Sequence, residues 1–254
     1  MAADSEPAAK PRKKIAYPGI VGDLREEILS GAHKYGDRLP AEPALMARFE
    51  ASRPTVHRAL TELEHEGLVE LQRGNGTFVR YLRPVLRNIG VRMSADVWGS
   101  GKSVWDAETE GREYATDSGR VSRGAAPEDA ERFLETDDVW IRERRHLVDG
   151  APVMLSVSYY PADIVDGSQI TEADTGPGGS PARLAELGHA PSGNGERIRL
   201  RRPTADERKR LQLPRGTQVA DIVRVSRDAD GRTVEVTEMV ANGDVFVFQV
   251  DYTP

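Results

Sequence analysis

Hydrophobic residues in the first third of the chain recur at the spacing of short amphipathic helices. Ile20, Val21, Leu24 and Ile28 share one helical face, and Gly31 beyond them is a suitable residue to end a helix. The same spacing occurs twice more in this stretch, in Leu45, Met46 and Phe49 and then in Val56, Leu60 and Leu63. The pattern therefore predicts three helices in succession.

The third helix and the turn after it carry specific end signals. Ser52 is a good N-cap residue, Pro54 fits a first helical turn, where a missing N–H costs little, and Gly67 follows the last apolar repeat. Short strand-forming runs then surround a glycine-rich turn, Gly74-Asn75-Gly76. Three helices followed by a β-hairpin predict a winged helix-turn-helix over residues 15–80.

Beyond a Pro-containing stretch at 81–89, which we interpret as a linker, the pattern changes to mixed strands and short helices. Alternating runs flank dipeptides that favour tight turns, Asp149-Gly150, Asp230-Gly231 and Asn242-Gly243. A capping-box sequence from Thr204 to Glu207 opens a predicted helix. We therefore expect an α+β protein whose second domain, residues 90–254, holds an antiparallel sheet with flanking helices.

Composition excludes several classes of protein. The 254 residues include no cysteine, which excludes disulfide scaffolds, thiolate zinc sites and thiol nucleophiles. The five histidines lie far apart, so no metal site and no cofactor are expected. No apolar run approaches the roughly 20 residues of a membrane helix. Residues 1–14 predict a disordered basic tail without the apolar stretch of a secretory signal, so we expect a cytoplasmic protein with no membrane partner.

Charge is distributed unequally along the chain. The formal net charge is −6, yet residues 1–80 contain 12 basic and 12 acidic residues, so the whole acidic excess lies in the remaining 174. Nucleic-acid binding depends on the field of one face rather than on the total charge. The acidic total therefore does not exclude DNA as a partner.

The helical segment resembles the DNA-binding domain of the GntR family of bacterial regulators. The resemblance rests on Leu39-Pro40-Ala41-Glu42, Ser52-Arg53-Pro54-Thr55-Val56, Glu66-Gly67-Leu68 and Arg73-Gly74-Asn75-Gly76-Thr77-Phe78-Val79. It implies that the third helix enters the major groove of double-stranded DNA, where Arg53 and Thr55 reach base edges or phosphates, and that the wing approaches the minor groove. The residues expected to bind DNA are Arg48, Ser52, Arg53, Thr55, His57, Arg58, Arg73, Gly74, Asn75 and Gly76.

Three positions depart from that family. His57 stands where the family usually has arginine, Pro43 where a polar residue is common, and Glu50 where glycine is preferred for a left-handed conformation. Two of the expected contacts have an alternative interpretation: Arg48 and Arg58 either touch phosphate or belong to a solvated surface. The departures leave the operator sequence open.

The second half resembles the UTRA effector-sensing domain of the histidine-utilisation-repressor branch of the same family. The resemblance rests on Arg142-Glu143-Arg144-Arg145, Val148-Asp149-Gly150-Ala151-Pro152-Val153, Ser158-Tyr159-Tyr160-Pro161 and Phe248-Gln249-Val250-Asp251. It implies a chorismate-lyase-like fold with a pocket for a small-molecule effector, often an anionic one such as a sugar phosphate. The residues expected around the effector are Arg92, Ser94, Arg142, Arg144, Ser156, Ser158, Glu235 and Phe246.

Several of these effector residues have two interpretations. Alternation places Arg142 and Arg144 on one strand face, where they either clamp an anion or form a surface salt-bridge strip. Glu235 is either an acceptor for the effector or a cross-strand ion-pair partner. Ser156 stands where many members have a carboxylate, and Phe246 stands where an aromatic residue with a hydroxyl is common. Two polar groups that could bond a sugar are therefore missing.

Together the two resemblances imply a repressor that binds a pseudo-palindromic operator as a homodimer in the nucleoid and is released by an effector. One alternative is a repressor whose C-terminal domain only dimerises, as in plasmid-transfer regulators of related organisation. A minor alternative is a lyase-like enzyme. Fold does not imply function, and no acid–base pair stands out, so we expect no enzymatic activity.

Overall fold

The chain divides between Leu82 and Arg83 into two compact units. A computed structural model describes residues 16–90, 95–101, 104–109 and 111–251. Within these ranges, no helix is both long enough and apolar enough to cross a bilayer. The division between the units falls inside the segment that we interpret as a linker.

The first unit consists of three helices with a β-hairpin. Its elements are α1 (Tyr17–Leu29), α2 (Glu42–Phe49), α3 (Arg53–His65), β1 (Val69–Gln72) and β2 (Gly76–Val79). The apolar stripes that predicted the helices face a common core, in which Leu24, Leu45 and Leu60 are almost fully buried. The hairpin is antiparallel and pairs Val69 with Val79. The prediction of three helices and a hairpin is therefore confirmed.

The turn between α2 and α3 has the predicted conformation but a different cap. Glu50 has a φ of 49°, in the left-handed region that glycine adopts most readily. Ser52 occupies the N-cap position of α3, yet its hydroxyl makes no capping bond to the helix backbone. It lies 2.8 Å from Thr55 Oγ1 instead. The expected capping side chain is therefore wrong, because the threonine hydroxyl three residues later competes for the serine.

The second unit is an α+β domain. Its strands are β3 (Val85–Asn88), β4 (Tyr114–Ala125), β5 (Asp138–Val148), β6 (Ala151–Pro161), β7 (Gly193–Arg201), β8 (Val219–Arg227), β9 (Thr233–Asn242) and β10 (Phe246–Gln249). Its helices are α4 (Ala95–Trp98), α5 (Val104–Thr109), α6 (Glu128–Leu134), α7 (Ala162–Val165), α8 (Gly179–Glu186) and α9 (Ala205–Arg210). Six strands form one antiparallel sheet in the order β4-β5-β6-β9-β8-β7, while β3 and β10 pair separately.

Two of the three predicted hairpins are present. Strands β5 and β6 meet at Asp149-Gly150, and β8 and β9 meet near Asp230-Gly231. The third prediction is wrong, because β10 leaves the sheet after Asn242-Gly243 and pairs in parallel with β3. The segment 85–88 is therefore a strand of the second unit and not part of a linker. Its apolar residue Val85 is buried in this pairing, which explains why a short run outside any recognisable repeat becomes ordered.

Strand β4 is another element that the pattern did not predict. It lies at one edge of the sheet and pairs only with β5. Six of its 12 residues are exposed and none of those described is buried, so no alternation of apolar and polar positions marks it as a strand. The predicted capping box is confirmed, because Thr204 and Glu207 bond each other's backbone N–H groups at the start of α9.

Candidate functional site

Two exposed polar side chains in the N-terminal half of α3 are joined to α2 by one carboxylate. Arg53 and His57 are one turn apart, and their side chains are 77% and 59% exposed. Arg53 Nε lies 2.9 Å from Glu42 Oε2, and His57 Nδ1 lies 2.9 Å from Glu42 Oε1. The hydrogen bonds from His57 and Arg53 lower the pKa of Glu42, so this carboxylate is ionised at neutral pH.

Two other predicted arginines of the helical unit have protein partners. Arg48 forms a bidentate ion pair with Glu27 of α1. The Arg58 guanidinium lies over the Tyr17 ring, 4.0 Å from its centroid. Both side chains are in solvent contact, and they reach a phosphate only by sharing or leaving these partners.

The tip of the hairpin between β1 and β2 is the predicted wing. Arg73 is exposed there, Asn75 closes the turn through its side-chain amide, and Gly74 and Gly76 both have positive φ. A Cβ on Gly76 would lie 2.6 Å from Nε of the flexible Arg38 side chain, and the φ of 115° favours glycine at this position. Arg38 is exposed as well. The sequence pattern missed it because it lies in a loop without periodicity.

The second unit contains a cavity of about 280 Å³ on one face of the six-stranded sheet. Its floor consists of alternate residues of adjacent strands, which point to the same face. These residues include Arg142, Arg144, His146, Ser156, Ser158, Tyr160, Arg224, Glu235 and Thr237. Trp105 of α5 and the glycine-rich segment 173–181 at the start of α8 form its walls.

The two arginines predicted to act as a clamp differ in their partners. The buried Arg142 guanidinium donates to the carbonyl oxygens of Ile170, Glu172 and Ala173, the last at 3.0 Å. Burial, and then repulsion by Arg144, lowers the pKa of Arg142 to about 10. Arg144 forms no hydrogen bond or ion pair with the part of the chain that is described, and it lines the cavity. Arg142 therefore anchors a wall segment through its terminal nitrogens, while its Nε has no partner in the described chain. A joint clamp of Arg142 and Arg144 on an anion stays a prediction.

The wall segment depends on glycine. Gly176, Gly178 and Gly179 all have positive φ, and a Cβ on Gly178 would lie 2.7 Å from the carbonyl oxygen of Trp98. The segment leads directly into α8, whose first residues, including Ser180, line the cavity. The N-terminal end of the helix dipole therefore adds partial positive charge on the same side as a buried hydroxyl.

Paired polar groups cover the middle of the cavity floor. His146 Nε2 lies 2.7 Å from Ser156 Oγ, and His146 Nδ1 lies 2.8 Å from Tyr114 Oη. Burial lowers the pKa of His146 to about 3, so the imidazole is neutral. Ser158 Oγ lies 2.9 Å from Thr237 Oγ1. The predicted serines thus lie in the cavity, and a hydroxyl retains capacity for a second hydrogen bond.

Glu235 is the centre of a buried ion-pair group. It accepts from Tyr160 Oη at 2.6 Å and from Arg224 Nη2 at 2.9 Å. Burial by itself would raise the pKa of Glu235, but Arg224 and Tyr160 outweigh it and lower the pKa, so the group is a carboxylate. Glu235 therefore forms the cross-strand ion pair that was one of its two interpretations. Glu235, Arg224 and Tyr160 also line the cavity.

Of the remaining predicted effector residues, only Phe246 is described, and it does not line the cavity. Arg92 and Ser94 lie outside the described residues. Phe246 lies behind the wall, where its ring meets Trp105 edge-on with 6.3 Å between centroids. The sequence missed Trp105, for which α5 offers no signal, and His146, which alternation along β5 should have revealed. No group of three metal-ligating side chains occurs within the described ranges.

A buried charge cluster connects the cavity floor with β3. The side chains of Arg87 in β3 and Glu196 in β7 form an ion pair and are 0% and 3% exposed. The charges of Glu108 in α5 and Arg224 in β8 also act on Arg87. Burial raises the pKa of Glu108 to about 7. The first strand after the unit boundary is thus held by charges that extend to a residue of the cavity.

Both units match known families. Residues 16–79 match the bacterial regulatory proteins of the gntR family, and residues 109–247 match the UTRA domain. An uncharacterized HTH-type transcriptional regulator of Streptomyces coelicolor is 34% identical over 239 residues, which are 89% of this chain and 88% of that protein. The histidine utilization repressor of Klebsiella aerogenes is 43% identical over 74 residues, 28% of this chain and 31% of that protein.

A solved structure agrees with the fold of the whole chain. The crystal structure of PhnF from Mycobacterium smegmatis is similar with a TM-score of 0.58 and 26% sequence identity. The similarity covers 92% of this chain and 99% of that one. Both units therefore have counterparts in a single protein.

Proposed function

The chain belongs to the GntR family of bacterial transcriptional regulators and carries its UTRA effector-binding domain, and from this premise we propose a ligand-released repressor that binds a pseudo-palindromic operator as a homodimer. The family consists of regulators and not of enzymes, and the C-terminal domain has the chorismate-lyase-like fold. In the proposal, residues 15–80 bind DNA, and residues 90–254 bind the effector and dimerise. The protein acts in the cytoplasm, at the nucleoid. Similarity to a histidine utilization repressor supports the repressor role and placement in that branch.

The proposed operator contact is the start of α3. The Arg53 side chain is 77% exposed, and its planar fork suits the O6 and N7 acceptors of guanine. Around it, Arg48, Arg58 and Arg73 are proposed to hold phosphates. Because half-sites that mirror a two-fold protein axis are the usual target of such helices, one recognition helix per subunit supports a palindromic operator.

Replacing Arg53 by alanine should remove about 1–3 kcal/mol of discrimination per half-site while leaving the protein folded and its oligomeric state unchanged. The guanidinium is exposed, so its loss disturbs no core. Binding to DNA from the upstream region of the gene is measured by gel shift, and the oligomeric state by sedimentation. Arg197→Ala, an exposed arginine of β7, is the matched control. Unchanged specific binding by Arg53→Ala would show that another element reads the operator.

The proposed effector is a small anion. The observation that carries this proposal is Arg144, a cavity cation whose donors have no partner in the described chain, opposite the N-terminal end of α8. Hydroxyls of Ser156, Ser158 and Ser180 supply neutral hydrogen bonds suited to a polyol such as a sugar phosphate. Release of the operator requires that the effector binds the DNA-free arrangement more tightly than the DNA-bound one.

Arg144→Ala should abolish stabilisation of the protein by its effector. The experiment measures the melting temperature of the full chain with a panel of sugar phosphates and with inorganic phosphate. A compound present at a concentration of 100 times its Kd raises the free energy of unfolding by about 2.7 kcal/mol. This gain should disappear when the charge-assisted hydrogen bonds of Arg144 are lost. Arg197→Ala should keep the gain, since β7 carries that residue on the opposite face of the sheet. An effector that binds both variants equally would move the site elsewhere.

A repressor whose C-terminal domain only dimerises remains the second candidate. The observation in its favour is that Arg142, one of the two arginines expected to hold an anion, donates its terminal nitrogens to three backbone carbonyl oxygens of the wall segment. In that case operator binding would persist, and no member of the panel would raise the melting temperature or relieve the gel shift.

A further inference from the structure

The feature that extends the proposed function is the carboxylate of Glu42 beneath the two exposed side chains of α3. Its two oxygens bond two different residues, Arg53 through Nε and His57 through Nδ1, both at 2.9 Å. The Glu42 side chain is 24% exposed, whereas those of Arg53 and His57 extend into solvent. A single acidic group therefore controls which atoms of both side chains remain for DNA.

For Arg53, the bond to Glu42 determines which of its nitrogens can contact DNA. Because Nε is engaged by Glu42, the remaining donors are the two terminal nitrogens, Nη1 and Nη2. These form the end-on fork that matches two acceptors side by side. Guanine presents such a pair, O6 and N7, in the major groove.

The consequence for His57 is a choice of tautomer. An ionised carboxylate only accepts hydrogen bonds, so Nδ1 of His57 must carry the proton that Glu42 receives. In the neutral imidazole the other nitrogen, Nε2, is then an acceptor. An acceptor is a poor partner for phosphate and for the N7 and O6 atoms of guanine. It suits the exocyclic amines of adenine and cytosine, which are the donors of the major groove.

We propose that Glu42 determines the sequence specificity of the recognition helix, by presenting Arg53 as a donor fork for guanine and His57 as an acceptor for the amine of an adenine or cytosine nearby. Residues four apart on a helix are about 5–6 Å apart, and base pairs are stacked about 3.4 Å apart, so the two bases lie within about two steps. This assignment rests on the proposed operator binding by α3. Glu42 itself acts as a positioning residue.

The test is selection of binding sites from a randomised double-stranded DNA library by the full chain. His57→Ala should identify the position read by His57, as the one where base preference falls by about fivefold or more. In Glu42→Ala either ring nitrogen can carry the proton, so Nε2 can donate as well as accept. At that position the preference for the amine-bearing bases A and C over the oxo-bearing bases G and T should therefore be lost.

The controls separate the tautomer from general effects of charge. Glu66→Ala removes the carboxylate at the C-terminal end of α3, which bonds Arg25 of α1. This variant should select the same sequences as the wild type. Glu42→Ala should keep the guanine assigned to Arg53 with a weaker preference. Melting curves show whether each variant is folded.

Two results would overturn the assignment while leaving operator binding intact. One is a Glu42→Ala variant that selects the same class of base at every position. The other is a His57→Ala variant whose selected sequences match those of the wild type. Failure of the wild type to enrich any sequence would instead refute the proposed operator binding, and the role of Glu42 with it.

Discussion

Replacing Arg87 by leucine should lower the free energy of unfolding of the second unit by about 3–5 kcal/mol. Arg87 and Glu196 are both buried, at 0% and 3% side-chain exposure, so removal of the cation leaves a carboxylate in a low-dielectric environment. Glu108 loses a favourable charge at the same time, since Arg87 acts on it directly. Replacing Arg123 in the exposed pair of Arg123 and Asp138 should not lower the free energy of unfolding to a comparable extent.

Urea denaturation followed by tryptophan fluorescence measures this loss, because all three tryptophans of the chain lie in the second unit. Arg123→Leu is the control for an exposed pair. The double variant Arg87→Leu with Glu196→Leu should recover part of the loss, since it leaves no carboxylate at position 196. A loss below about 1 kcal/mol in Arg87→Leu would contradict the buried ion pair.

The same loss should grow with pH. Burial raises the pKa of Glu108 to about 7, from an ordinary value near 4.5. The protonated carboxyl is favoured in the folded state, so stability is fully present below about pH 4.5 and declines as the pH rises through about 7. Arg87 opposes this rise in pKa. Without it the decline continues to higher pH, and the difference between Arg87→Leu and wild type should be larger at pH 8 than at pH 6.

DNA affinity should fall by about 10³-fold or more between roughly 50 and 200 mM salt. Binding of phosphates by arginine releases counterions, and the slope against salt concentration counts the phosphates neutralised. Residues 1–80 have no net charge, so the attraction depends on local cations rather than on the unit as a whole. Arg38 and Arg73 are exposed near the wing, and a dimer doubles every such contact.

Fluorescence anisotropy of labelled operator DNA over a series of salt concentrations measures the slope. Arg73→Ala should reduce its magnitude by about 2 in a dimer, one unit for each subunit. Arg197→Ala, in the second unit, should leave it unchanged. An affinity that does not vary with salt would mean that the arginines of α2, α3 and the wing do not bind phosphate.

The elements that local pattern predicted well are those whose hydrophobic partners lie nearby in the chain. Helices α1 to α3 each carry a complete apolar face, and the turns at Asp149-Gly150 and Asp230-Gly231 need only their own backbone conformation. The failures have non-local causes. Asn242-Gly243 has an equally good hairpin signal, but β10 pairs with β3, more than 150 residues away. Edge strand β4 has one neighbour and no regular alternation.

The candidate sites show the same division. Residue type and alternation placed Arg142 and Arg144 on one face, and both line the cavity. Only packing distinguishes them, because the wall segment folds back and presents three carbonyl oxygens to Arg142. Phe246 is excluded from the cavity by Trp105 of α5, an element with no sequence signal.

Local sequence was enough to predict the division into two parts, the helices and wing of the first unit, the antiparallel character of the second, and the residue types available for DNA and effector. Those properties follow from short-range periodicity, turn chemistry and side-chain functional groups. Folding sets which hydrogen-bonding atoms remain for a ligand: carbonyl oxygens of the wall segment engage the terminal nitrogens of Arg142 but not those of Arg144. Glu42 likewise engages Nδ1 of His57 and leaves Nε2. A side chain's hydrogen-bonding capacity is a property of its type, but the share left for a ligand depends on neighbours that folding brings from distant positions in the chain.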